Sequence, residues 1–351
     1  MQAPASKIDY LIVGQGLAGS LLAWHLLQQK QTVRIIARKD ASSASRVAAG
    51  LINPVSGRRL VLQEGISELL PAAQRFYSDM QARFGRQFFF EKPLLRLIRH
   101  PRLREVYEQR RQQPEYAPFL GDWVEQGQGG WWQNRTGWLD TNALLDALHN
   151  DFNVQGLCID QVFEHTELEL LAHDVRWRQF TASTVIFCEG YLVRQNPWFD
   201  WLPMQPVKGE ILTCETHATL ADHILNAGQW IVPLSEHRFR LGANYERDHL
   251  NEIPTPSVAE SLLANLASLL PEVRPAKVVA HKAGVRPGTV DKNPILGLHP
   301  AYPQLGIFNG FGSKGSLLIP WHAAHFAEML ANRSPLPPHA DISRFVPRYY
   351  G

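Results

Sequence analysis

Ile8-Asp9-Tyr10-Leu11-Ile12-Val13-Gly14-Gln15-Gly16-Leu17-Ala18-Gly19 decides the fold of this chain. Its first six residues are mostly apolar and predict a buried strand of about the usual 5–6 residues. Three glycines follow at once in the spacing GxGxxG. Ser20 to Gln29 then predicts a helix, with Leu21, Leu22, Trp24, Leu26 and Leu27 on its buried side. Thr32-Val33-Arg34-Ile35-Ile36 predicts a second strand, closing a βαβ unit of about 30 residues. In that position Gly14 allows the tight turn and Gly16 lets the backbone approach a pyrophosphate. Gly19 lets helix and strand pack closely, and the helix N-terminus with Leu17 and Ala18 supplies N–H groups and partial positive charge. The stretch predicts a dinucleotide site rather than a structural glycine turn.

A carboxylate usually ends the second strand of such a unit and accepts hydrogen bonds from the adenosine ribose. Here Ala37-Arg38-Lys39 holds that place, and Asp40 is the first acid. The ribose contact is therefore lost, shifted to Asp40, or made by backbone groups. Arg38 and Lys39 also admit a 2′-phosphate clamp, as in an NADP enzyme. The next loop, Ala41-Ser42-Ser43-Ala44-Ser45-Arg46-Val47-Ala48-Ala49-Gly50-Leu51, is rich in very small side chains. Such residues let backbone lie against a large flat ligand while Ser45 and its neighbours offer hydroxyls. Its apolar end, Ala49-Gly50-Leu51, argues against a solvated surface loop.

The 351 residues, 45% hydrophobic and 19% charged, describe a folded chain of about two domains. Lys plus Arg number 35 against 33 Asp plus Glu, which excludes a surface built throughout to bind polyanions. Cys158, Cys188 and Cys214 lie far apart with no CxxC pair, so neither a disulfide framework nor a cysteine zinc site is expected. No secretory signal is read at the N-terminus, and no apolar run approaches the roughly 18 residues that span a bilayer. These features predict a cytoplasmic protein. His322 and His325 share a helix face without a third ligand nearby, and no metal is expected.

Further along, Glu64 to Arg83 predicts a helix that Pro71 should kink or split. Phe88 to Asp140 reads as short strands, aromatic runs and basic loops such as Arg96 to Arg104. Thr141 to Asn150 predicts a helix, and Thr184 to Cys188 a strand. Residues 206–283 read as strands around one amphipathic helix from Pro256 to its stop at Pro271. Leu305 to Phe308 predicts a strand that runs into Gly310-Phe311-Gly312-Ser313-Lys314-Gly315 and a helix from Ser316 to Asn332. The proline-rich tail after Ser334 reads as a surface extension. The Trp131-Trp132 and Trp198-Trp201 pairs read as packing rather than cavity lining.

Several of these segments together resemble one family. They are the N-terminal GxGxxG, the loop from Ala44-Ser45 to Ala49-Gly50-Leu51, Phe187-Cys188-Glu189-Gly190, and Gly284-Val285-Arg286-Pro287-Gly288-Thr289-Val290-Asp291-Lys292-Asn293-Pro294-Ile295-Leu296-Gly297. The chain resembles the D-amino-acid oxidase-like (DAO) family of FAD-dependent oxidoreductases, which includes glycine oxidase, sarcosine oxidase and the flavin half of a bifunctional tRNA-modifying enzyme. The resemblance implies an α/β fold: a Rossmann-like FAD-binding domain of the glutathione-reductase type, interleaved with a sheet-based substrate domain. The expected FAD domain is discontinuous, 1–85, 141–205 and 284–351. The expected substrate domain takes 86–140 and 206–283.

The resemblance also implies roles. Arg286, in the G-x-R-P pattern, grips a substrate carboxylate, for which a planar, permanently charged guanidinium is suited; the alternative is a structural salt bridge to Asp291 or another acid. Phe311, Gly312, Ser313, Lys314, Gly315, Ser316 and Leu317 become flavin contacts. Ser313 stands where glycine oxidase-like enzymes carry a second arginine, and Lys314 could replace that charge. The last third of the chain has no cysteine, so FAD is expected to be non-covalent. The implied reaction oxidises the C–N bond of a small amino acid or of a secondary amine bearing a carboxylate. Hydride passes to flavin N5, no protein acid or base is assigned, and oxygen or another acceptor reoxidises the flavin. Two alternatives stand beside it. One is oxidative removal of a carboxymethyl group from a tRNA wobble uridine, supported by the basic run Arg96 to Arg111. The other is a degenerate, non-catalytic flavoprotein.

Overall fold

A computed structural model describes residues 7–38, 43–125, 129–270, 273 and 276–350. Lys39 and Asp40 of the expected ribose contact, Ala41 and Ser42 of the small-residue loop, and Pro271, the expected helix stop, lie outside the described residues. The chain divides into two compact units, one of Met1–Arg46, Asn142–Val207 and Val285–Gly351, the other of Val47–Thr141 and Lys208–Gly284. The helix Ile66–Phe84, expected with the dinucleotide domain, belongs to the second unit. It runs through Pro71 as one element, because a proline this near the start removes a single bond from the helical ladder.

The first unit is built on an eight-stranded sheet. Strand β1, Ile8–Val13, pairs in parallel with β2, Val33–Ala37, on one side and with Phe180–Phe187 on the other. Cys158–Asp160 extends the sheet beyond β2, also in parallel, and Leu305–Asn309 joins Phe180–Phe187. Continuous apolar strands such as Leu11-Ile12-Val13 and Val185-Ile186-Phe187 suit this sheet, where both faces are covered. Helix α1, Leu17–Gln28, packs against the helix Gly315–Asn332, and both are buried over much of their surface.

The C-terminal tail corrects the expectation of a surface extension. Ala340, Ile342 and Phe345 are buried, and Ile342 and Phe345 join the core of this unit. Leu296 donates its N–H to the Ala340 carbonyl at 2.8 Å. The Arg344 guanidinium holds the Asp291 carboxylate at 2.9 Å and donates to the Pro294 carbonyl at 2.9 Å. Spaced apolar residues outweigh the preceding prolines.

The second unit carries a mixed eight-stranded sheet running from Lys277–Arg286 through Val207–Glu215, Arg238–Gly242 and Trp230–Ser235 to Leu120–Val124. The helix Pro256–Leu269 buries Leu262 and Leu266 against Leu212, Cys214, Phe239 and Leu241. The basic stretch is not a loop. Arg96 lies in the strand Leu94–Leu97, and Arg102–Arg111 is a helix anchored by the fully buried Tyr107. Trp131 stacks on Tyr107 at 4.9 Å. In the first unit, Trp198 stacks on Phe187 at 5.9 Å.

Candidate cofactor and substrate site

The glycine turn after β1 is shaped by close approach. Gly14 has φ +103°, and a Cβ there would lie 2.5 Å from the Cys188 carbonyl oxygen. A Cβ on Gly19 would lie 1.9 Å from the Gly14 carbonyl oxygen, so helix and turn can meet only at glycine. Gly16 precedes α1 and faces Ser45, whose Oγ accepts the Leu17 N–H at 3.1 Å. The structure thus brings Ala44 and Ser45 to the same helix end as Gly14, Gly16, Leu17, Ala18 and Gly19. Gly16 makes no side-chain cap and the first turn has no acid, so beyond the Leu17 N–H taken by Ser45 the positive potential of the helix start is presented at the glycine turn. These residues fit the pyrophosphate of a dinucleotide.

Beside this turn, Ala37 ends β2 half-buried and Arg38 is exposed. A cavity of about 180 Å³ opens there, lined among others by Gln15, Ile35, Ala37, His149, Cys158 and Asp160. His149 Nδ1 lies 2.9 Å from Gln15 Oε1, and the Gln15 amide donates to the Cys158 sulfur at 3.6 Å. Burial pushes the Cys158 thiol pKa up, so it stays neutral. His149, Cys158 and Asp160 carry no sequence motif; Cys158 and Asp160 arrive beside Gln15 because their strand pairs with β2, and His149 comes from the helix Thr141–Val154.

In the same unit, Arg286 closes the strand Lys277–Arg286 and is half-buried. The Gly312 N–H donates to the Pro287 carbonyl at 3.1 Å, so the Arg286-Pro287-Gly288 loop and the Gly310–Gly315 turn are bonded together. Gly310 at φ +84° and Gly312 at φ +54° make the turn. Phe311 is buried edge-on to Phe308 at 4.9 Å. Gly315, Ser316 and Leu317 begin the helix Gly315–Asn332, whose first turn has no acid. Ser313 is exposed. Lys314 is half-buried, and burial, with Lys292 adding repulsion, holds its ammonium pKa below the ordinary value. The Asp291 carboxylate is engaged by Arg344, and also accepts from Thr289 Oγ1 at 3.0 Å.

In the second unit, Ala49 and Gly50 are buried and Leu51 is half-buried. Gly50 has φ +72°, and a Cβ would lie 1.9 Å from the Leu139 carbonyl oxygen. Arg240 donates to the Ala48 carbonyl at 3.2 Å and thereby supports this loop from below. Among the described residues no group of three His, Cys, Asp or Glu could hold a metal ion. His322 bonds to the Leu318 carbonyl at 2.8 Å, and His325 stacks on Trp321 at 3.7 Å. No helix of the described residues is long and apolar enough to cross a membrane.

The chain is 31% identical over 147 residues to the glycine oxidase of Pseudomonas aeruginosa, covering 41% of this chain and 40% of that protein. It is 26% identical over 365 residues to the bifunctional protein ThiO/ThiG of Synechocystis sp., covering 96% of this chain and 54% of that one. The chain therefore spans about half, or less, of these curated relatives. The crystal structure of glycine oxidase from Geobacillus kaustophilus has the same fold, with a TM-score of 0.83 at 22% identity over 99% of this chain and 100% of that one. The family described as FAD dependent oxidoreductase (DAO) matches residues 9–329. With a glycine cradle that fits the pyrophosphate and a family match across most of its length, the chain belongs to the DAO family of FAD dependent oxidoreductases, and FAD is its cofactor.

Proposed function

We propose that this protein oxidises the C–N bond of a small amino acid, or of a secondary amine bearing a carboxylate. The first unit binds FAD non-covalently and the second carries the substrate sheet. When bound, FAD supplies the hydride acceptor, at N5 of its flavin. The observation that supports this reading is the hydrogen bond between Pro287 and Gly312, since Pro287 follows Arg286 and Gly312 lies in the turn proposed to contact the flavin.

Arg286 grips the substrate carboxylate and so aims the α C–H in one direction; positioning of this kind supplies much of the catalytic effect. Lys314, already short of solvent, adds positive charge beside it, while Ser313 contributes a hydroxyl in place of a second guanidinium. The amine nitrogen releases its proton to solvent as hydride leaves carbon. The imine formed then takes up water and breaks down to a carbonyl compound and an amine. Electrons pass on to oxygen or another acceptor.

A tRNA side chain is not favoured, because the basic run from Arg96 to Arg111 is largely engaged in holding the second unit together. Arg96 is buried, donates to the Gly57 carbonyl at 2.9 Å and lies 5.6 Å over Trp131. Arg104 lies 4.5 Å over Trp123, and Arg111 donates to Asp122 at 3.0 Å. The test is anaerobic mixing of the yellow protein with glycine, sarcosine, iminodiacetate, D- and L-amino acids and carboxylate-free amines. Bleaching by a carboxylate-bearing amine is expected. A protein bleached only by carboxylate-free amines, or by none, refutes the proposal; salt-sensitive tRNA binding would move it to the RNA reading.

A further inference from the structure

The strand β2 ends without the carboxylate that ordinarily receives the adenosine ribose, and its last residue is Ala37. We propose that Asp160 provides this carboxylate from the neighbouring strand, so that the cavity beside Gln15 takes the adenosine end of FAD. The inference rests on FAD being the cofactor, as the family match has it.

The register places the acid. Cys158–Asp160 runs parallel to β2, with Cys158 opposite Ile35, Ile159 opposite Ile36, and Asp160 opposite Ala37. Partners in such a register project to the same face of the sheet. Ala37 and Asp160 accordingly line one cavity, together with Ile35 and Cys158. The carboxylate has moved sideways by one strand spacing, roughly 4.8 Å. A methyl group at Ala37 leaves clear the space that a longer acid there would fill.

The cavity also joins the correct part of the cofactor site. Gln15, the middle residue of Gly14-Gln15-Gly16, is part of its wall. The adenosine of a dinucleotide held at this turn must therefore leave the pyrophosphate near this opening. The carboxyl ends of β1, β2 and the Cys158–Asp160 strand all meet here, and ligands of open α/β sheets bind at such ends. Among the described residues lining the cavity, Asp160 is the one carboxylate, and the Cys158 thiol stays neutral. His149 holds the Gln15 side chain at 2.9 Å, which gives the cavity a defined wall. An ionised acceptor facing ribose hydroxyls makes the stronger, charge-assisted kind of hydrogen bond.

Titration of the apoprotein with FAD and with FMN, which has no adenosine, tests this assignment. Asp160→Ala is expected to weaken FAD roughly ten-fold or more, the scale of a lost charge-assisted hydrogen bond, and to leave FMN unmoved. Asp160→Asn should fall between the two, and Ala37→Glu in the Asp160→Ala background should recover part of the loss. An Asp160→Ala protein with wild-type FAD affinity overturns the proposal, as does one that loses FAD and FMN equally. Tight FAD binding by the wild type with an unmoved variant would sink only the ribose assignment. Failure of the wild type to prefer FAD over FMN would sink the dinucleotide site as well.

Discussion

The backbone N–H of Gly312 bonds to the carbonyl of Pro287 at 3.1 Å, so the turn that follows the strand Leu305–Asn309 and the loop that follows Arg286 form one piece of backbone. Gly312 takes φ +54°, the left-handed region that favours glycine, and a Cβ there would meet Gly288 Cα in ordinary contact at 3.8 Å. Arg286, proposed to grip substrate, is thus next in sequence to a residue bonded to the turn proposed to contact the flavin, and the two segments cannot drift apart independently.

Arg286→Leu should therefore raise KM for a carboxylate-bearing substrate roughly 10- to 150-fold, since the lost interaction is charge-assisted and worth roughly 1.5–3 kcal/mol. Flavin content, read from the visible spectrum of the purified protein, should be unchanged. Wild-type KM in this variant would remove Arg286 from substrate binding.

Lys314 gives the alkaline side of the profile. Its ammonium is held below the ordinary lysine value, mainly by burial and then by Lys292, so it loses its charge at lower pH than a solvated lysine. KM should rise with pH through that range. Lys314→Met should have a raised KM already at neutral pH and no such limb, whereas Lys314→Arg should keep a low KM to higher pH. A profile that Lys314→Met does not alter would count against any contact with substrate.

The glycines of the first turn separate folding from binding. In Gly19→Ala the new Cβ meets backbone at 1.9 Å and cannot be relieved, so we expect a loss of about 3 kcal/mol or more in the apoprotein. In Gly16→Ala it meets the Ser45 hydroxyl at 3.1 Å, a side chain that can turn away. That variant should melt near wild type without cofactor yet bind FAD more weakly. Thermal melts of both apoproteins, with FAD titrations, distinguish the two.

His322 predicts an acid-side loss of stability. Burial, the dominant cause, lowers its pKa from 6.5 to about 4 in the folded protein, so the unfolded chain takes up its proton first. Stability from this group is complete above about pH 6.5 and falls as pH drops towards 4, by on the order of 3 kcal/mol. His25, also lowered to about 4 chiefly by burial, acts in the same direction. Denaturant melts from pH 7 to 4 should show this slope, and His322→Leu should flatten it whatever its cost at pH 7. Parallel slopes in the two proteins would exclude His322 as the source.

The β1–glycine–α1–β2 unit was legible because its signals are local: apolar strands, three glycines at fixed spacing and a helix, all within about 30 residues. Ser45 was singled out by the tiny side chains around it, although its bond to the Leu17 N–H was not legible. The basic stretch was misread where Tyr107 alone buries, because one deeply placed aromatic residue leaves no helical periodicity to see. The tail after Ser334 was misread for a related reason: its prolines are visible locally, but the core that receives Ile342 and Phe345 is assembled from distant strands.

By itself the sequence determined that a dinucleotide turn opens this chain, that Arg286 sits in a G-x-R-P pattern, and that β2 lacks its acid. Those are properties of neighbouring residues, and spacing along the chain expresses them. Only the tertiary structure decided that Asp160 stands opposite Ala37, that Pro287 meets Gly312, and that Arg344 engages Asp291. Sheet register and backbone approach between segments that lie in different elements, here 25, 53 and 123 residues apart, are set by how the whole core packs, and no local pattern carries that information.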